Sequence, residues 1–168
     1  RALATAKAGG LDDLAIDAVH MMAFVDTAPA DQLRWNEQAL AMVLASTQAG
    51  GKAWEASIRS NLGLALHELG RHAESLPHFE RALALRLSAG APPRSVYVAR
   101  WLHARALRLA GRFDEALAQQ TQLEGQMHVV GDPDPYVLEE LEQIHRAKGD
   151  AGRAAAYAER LAAARPKP

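Results

Sequence analysis

Residues 61–85, NLGLALHELGRHAESLPHFERALAL, restrict the fold more than any other part of the chain. Leu62, Ala65, Leu66 and Leu69 recur at helical spacing, Gly70 breaks the run, and Leu76, Phe79, Ala82 and Leu83 resume the same period. The stretch predicts two helices joined by a tight turn. Small residues at Gly63, Ala65 and Ala82 let the two helices approach closely, while Leu66 and Phe79 fill the space between them. Such a hairpin cannot bury its apolar face alone, so neighbouring hairpins must supply the rest of a core.

The remainder of the chain is consistent with that demand. Apolar residues make up 49% of the 168 positions but aromatics only 5%, so the interior must be built mainly from Ala and Leu, both strong helix formers. A formal net charge of -1 argues against nucleic acid or a membrane surface as the dedicated partner. There are no cysteines, which excludes disulfides, thiolate chemistry and cysteine-bound metal, and fits cytosol and periplasm equally. The expected location is the cytoplasm. The longest apolar stretches, such as Val19 to Val25, fall far short of the roughly 18 residues of a membrane span. The chain opens on Arg1 with nothing resembling a signal peptide, and it reads as one section of a larger protein.

Taken in order, residues 1–10 share the texture of residues 81–90 and read as an orphan second helix. Repeat one spans 11–49, with Leu14, Ala15, Val19, Met22 and Ala23 inward on its first helix. Leu33, Ala39, Leu40, Val43 and Leu44 do the same on its second helix, from about Ala30 to Ala49, which Gly50 and Gly51 end. Repeat two spans 52–90. Pro77 falls early enough in its second helix to be placed among donors that have no partner to lose. Repeat three spans 94–130, with Ser95 as the expected N-cap and a second helix weakened by Gln119, Gln120, Gln122 and Gln126. Repeat four spans 134–165, with Asp134 capping, Pro135 at the first helical position, and Val137, Leu138, Leu141 and Ile144 inward. Pro166 and Pro168 end the chain. The whole is expected to be a single repeat domain.

The order Leu62, Gly63, Gly70, Phe79, Ala82 resembles the tetratricopeptide repeat, a helix-turn-helix unit. Ala39, Ala82, Leu123 and Leu161 occupy equivalent places in successive second helices, 43, 41 and 38 residues apart. The usual period is about 34, so these repeats are lengthened, most simply by one turn on each helix. Repeats of this length resemble those of kinesin light chains and of helical sensor arrays in bacterial regulators. The resemblance implies an all-α, right-handed solenoid of stacked antiparallel hairpins. It also implies a non-enzymatic scaffold that holds a protein or peptide in its concave groove, without a cofactor. A structural or oligomerising array, dimerising through its ends, and a sensor segment are the alternative readings.

Catalytic and metal motifs fail on geometry. His67 and His72 lie five residues apart across the Gly70 turn, where a helical zinc motif needs four on one face. No phosphate-binding loop or nucleophile elbow is present, and Glu139, Glu140 and Glu142 on one helix point in different directions. The unusual stretch is 94–113, where Arg94, Arg100, Arg105, Arg108 and Arg112 occur without an acidic residue and are interleaved with Tyr97 and Trp101. At 100° per residue Trp101, Arg105, Arg108 and Arg112 share one face. In the family the first helix of each repeat lines the groove, so the resemblance implies Asn61, Leu64, His67, Trp101, Arg105, Arg108, Gln143 and Arg146 as groove residues. An acidic peptide is then the expected ligand. Two readings of the arginines stay open: contact with that peptide, or pairing with Glu139, Glu140 and Glu142 of the next hairpin. Asn61 precedes Leu62-Gly63 as a groove-facing Asn does in the family. The family's chaperone-tail clamp is unsupported, because Asp17, Met21, Val98 and Leu102 stand at its other positions.

Overall fold

A computed structural model describes residues 2–165; Arg1, Pro166 and Pro168 lie outside the described residues. Helix follows helix: α1 (Ala2–Ala8), α2 (Asp12–Val25), α3 (Pro29–Ala45), α4 (Ala49–Ala53), α5 (Glu55–Glu68), α6 (His72–Ser88), α7 (Pro93–Leu109), α8 (Phe113–Glu124), α9 (Pro135–Ala147) and α10 (Ala151–Ala164). A short 3-10 turn at Met127–Val129 precedes α9. The fold class is all-α and built of stacked helix hairpins. The chain divides into two compact units, residues 1–89 and 90–168, between the second and third expected repeats.

In the first unit the α2–α3 hairpin stacks on α5–α6, with α3 against α5, and α1 packs on α2. The core gathers Ile16, Val19, Leu33, Val43, Ile58, Leu62 and Leu66, with Trp35 and Trp54 against its rim. Gly63 sits where α5 crosses α6: a Cβ there would lie 2.7 Å from two carbons of the Phe79 ring. At Gly70 the turn takes φ 72°, a left-handed conformation that only glycine adopts without strain. Arg86 on α6 ties the hairpin with its guanidinium, donating to Ser60 Oγ at 3.0 Å.

In the second unit α7–α8 stacks on α9–α10. Val137, Leu138, Leu141 and Ile144 are fully buried along α9, as their spacing predicts. Ala39, Ala82, Leu123 and Leu161, the equivalent positions of the lengthened period, are all buried. Asp134 caps α9 by accepting from the Tyr136 backbone N–H at 2.9 Å, with Pro135 following it.

Several expectations need correction. Helix α3 stops at Ala45, and Gly50 and Gly51 lie inside α4. The chain leaves the helix at Ser46, whose hydroxyl donates to Asp12 Oδ2 at 2.6 Å and accepts from the Gln48 N–H at 3.1 Å, a local alternative to continuing the helix. On α2 the buried arc is Ala15, Ile16, Val19 and Ala23, leaving Leu14 half in solvent; Leu44 is likewise exposed beside a buried Val43. Ser95 is already helical, since Pro92 is the N-cap and Pro93 opens α7. Pro77 stands past the free donors: the N–H of Ser75 already bonds the Arg71 carbonyl, so Pro77 leaves the Ala73 carbonyl without its helical donor. The extra residues of the long repeats are shared between helices and connections, α4 and the 3-10 turn among them.

Candidate functional site

The residues expected to line a groove fall on the first helices of hairpins in both units. On α5, Asn61 donates from Nδ2 to His20 Nε2 of α2 at 2.7 Å. That bond assigns the acceptor role to Nε2 and suits a neutral ring. Burial lowers the His20 pKa, with the charge of Asp17 acting against it. Asn61 thus ties two hairpins together. Leu64 is partly exposed, and the His67 ring is tilted against His72 with centroids 4.8 Å apart.

In the second unit α7 carries Arg94, Val98, Trp101, Arg105 and Arg108 down one line, at spacings of four, three, four and three residues. The lower part of this line is engaged by α9. Arg108 donates to both oxygens of Glu140, at 2.6 and 3.1 Å, and only 13% of its side chain is exposed. Arg105 Nε lies 3.6 Å from the same carboxylate and retains 37% exposure. Two cations on one buried acid are what Glu140 requires, since an unpaired charge at that depth would be costly. Arg112 is bonded to Glu115 at the start of α8. Gln143 is half-buried on α9, while Arg146 is exposed and paired with Glu142 one turn earlier.

The upper part is different. Trp101 lies edge-on to Tyr136, with ring centroids 5.8 Å apart, and its indole N–H donates to the Tyr136 carbonyl at 3.3 Å. The Arg105 guanidinium sits 5.4 Å from the Trp101 ring centroid. Beside this pair, between the first half of α7 and residues 130–136 leading into α9, opens a pocket of about 360 Å³. Tyr97, Val98, Trp101, Val130, Pro133 and Tyr136 give it mainly apolar walls, and Arg94 stands at its edge. Val98 is 44% and Tyr136 65% exposed, high values for side chains of this kind. The floor is polar but satisfied. Tyr97 donates its hydroxyl to Asp134 Oδ2 at 3.0 Å, and burial followed by this bond pushes the phenol pKa well above its ordinary value.

Sequence reasoning named Trp101 and Arg105 but missed Tyr136 and Pro133, reading Asp134 and Pro135 only as the start of a helix. The available signal was an aromatic residue directly after a capped, proline-initiated helix start. Chemically the arrangement can hold an apolar side chain next to an anion; no converging acid–base pair accompanies it among the described residues.

Residues 54–125 match the family model described as tetratricopeptide repeat. None of the curated proteins matches the chain in sequence. Among solved structures, BtubC (BKLC) from P. vanneervenii, a kinesin light chain-like tetratricopeptide-repeat protein, superposes with a TM-score of 0.73 at 18% identity. The match covers 94% of this chain and 68% of that one. At such identity the likeness is one of fold.

Proposed function

We propose that this chain, whose residues 54–125 match the tetratricopeptide-repeat model, is a protein-interaction scaffold whose α7–α9 face takes a segment of a partner protein. Repeats of this family generally bind proteins or peptides and are generally non-catalytic. The observation that carries the reading is the open pocket beside Trp101. At about 360 Å³ it lies at the small end of ligand sites, which run roughly 300–1,000 Å³, and suits one bulky apolar side chain better than a whole metabolite. Arg94 has no acidic partner among the described residues, and Arg105 keeps over a third of its side chain in solvent. A carboxylate beside the inserted side chain would meet one or both. The preferred partner segment is therefore a large apolar residue flanked by Asp or Glu.

Selection of a random displayed-peptide library on the whole chain tests this. Enrichment for aromatic or large aliphatic residues next to acids is expected. Capture of those peptides should be lost in a variant carrying Trp101→Ala and Arg94→Glu, with helicity kept. Enrichment of basic peptides, or undiminished capture by the variant, would overturn the assignment. A concentration-dependent dimer that the same variant abolishes would assign the face to self-association instead.

A further inference from the structure

We propose that the outward face of α2, in the first unit, docks an amphipathic helix carrying Lys or Arg. This is independent of the α7–α9 face and opposite to it in charge. Leu11 at the N-cap and Leu14, Ala18, Met21 and Val25 on the helix recur at spacings of three and four residues, the seam of a two-heptad helix contact. The seam is open: Leu11 is 46%, Leu14 52%, Met21 52% and Val25 67% exposed, with Phe24 beside it at 61%. Singly such residues need no explanation; in one line on one helix they form a patch of the kind that marks an interaction surface. A furrow of about 540 Å³ runs along the seam between α1 and α2, with Leu14, Met21 and Asp17 in its walls.

Charge selects the occupant. Helix α2 contains Asp12, Asp13 and Asp17 and no Lys or Arg. Asp12 is spent on Ser46. Asp13 and Asp17 hold no hydrogen bond or ion pair among the described residues, and His20, whose pKa is lowered by burial, does not supply a full counter-charge. At 100° per residue Asp17 borders the apolar seam, where a docked helix would place its flanking side chains, and Asp13, one turn earlier, lies further round on the same side, beside Gly50 of α4. A second copy presenting the same face would set these acids against their own equivalents and is disfavoured. A helix with apolar residues at three-and-four spacing and lysines on their flank meets both requirements.

The probe is a synthetic helix of about 18 residues, five turns, with Leu in the seam and Lys on the flanks, and a twin with Glu replacing Lys. Fluorescence anisotropy with the whole chain should show the Lys peptide bound and the Glu twin at least about tenfold weaker, the difference shrinking at high salt. Hydrogen exchange on the unaltered chain should show added protection of α2. Leu14→Gln with Met21→Gln, both at exposed sites, should weaken the Lys peptide at least about tenfold. Asp13→Asn with Asp17→Asn should abolish the preference between the twins. Equal binding of both peptides, no binding, protection elsewhere than α2, or insensitivity to the Gln pair would each overturn the proposal. So would a dimer that excludes the peptide and is abolished by the Gln pair.

Discussion

Gly63→Ala is the sharpest probe of the packing on which the repeats depend. The substitution normally helps a helix, since alanine is better than glycine in a helix interior by about 0.8–1 kcal/mol. At this site the new Cβ would meet Phe79 Cε1 and Cζ at 2.7 Å and Cδ1 at 2.9 Å, where carbon atoms prefer about 3.5–4.0 Å. Phe79 is only 2% exposed, so its ring cannot swing into solvent, and α5 and α6 must part by several tenths of an ångström. Overpacking of this kind costs about 1–3 kcal/mol, so after the propensity gain the variant should lack the gain Gly152→Ala shows and be destabilised by up to about 2 kcal/mol. Gly152→Ala is the internal control: its Cβ would meet only an Asp150 oxygen at 3.9 Å, and that variant should be neutral or slightly stabilised. Urea unfolding gives the size of the effect, and hydrogen exchange locates it in α5 and α6 without assuming one transition for both units. Adding Phe79→Leu to Gly63→Ala should recover part of the loss, a coupling seen only between touching residues. If Gly63→Ala raised stability as Gly152→Ala does, the close α5–α6 crossing would be refuted.

Two further outcomes follow from buried polar groups. Gln120 is fully buried on α8, and neither its amide oxygen nor its nitrogen has a hydrogen-bond partner among the described residues; Gln120→Met, similar in shape and helix propensity, should stabilise the chain by about 1–2 kcal/mol in urea unfolding. Tyr97 is held protonated by burial and then by its bond to Asp134, so its folded pKa stands above the ordinary 10.0. Its contribution is complete below the unfolded value and is lost as pH rises above it, because the unfolded phenol releases a proton that the folded one keeps. The unfolding free energy from urea titrations should fall between about pH 10 and 11.5, by at most about 1.4 kcal/mol per pH unit from this residue, and Tyr97→Phe should flatten that fall.

The hairpin architecture was readable because it is written in short-range spacing. Val137, Leu138, Leu141 and Ile144 lie on one buried stripe, and a break at Gly70 admits few conformations. What was not readable depended on side chains finding partners far along the chain. Ser46 ends α3 by bonding Asp12, 34 residues earlier, so the pair Gly50-Gly51 looked like the stronger stop. Leu14 and Ile16 both fit a helical stripe, and which of them faces inward is decided by where α3 and α5 stand. Gln120 stands out in the sequence as weakening its helix, but its complete burial without a partner among the described residues is a property of the packed α8.

The same reasoning divides the arginine line on α7. In the sequence Arg94, Val98, Trp101, Arg105 and Arg108 form one uninterrupted stripe, and local patterning gives no reason to treat its ends differently. Glu140, 32 residues after Arg108, makes the difference. It is 3% exposed, and an acid buried to that depth must draw cations to itself, so Arg108 is committed to the fold and Arg105 is partly so. Asn61 is committed in the same manner to His20. In a stack of hairpins the first helices must hold one another before they can hold anything else, and the polar residues that stand out in sequence are also the ones suited to that task. The residues the proposed partner segment would meet are those the neighbouring helix does not reach. On α7 these are Arg94, Val98 and the outer edge of Trp101, beside Tyr136, which no charge pattern had marked.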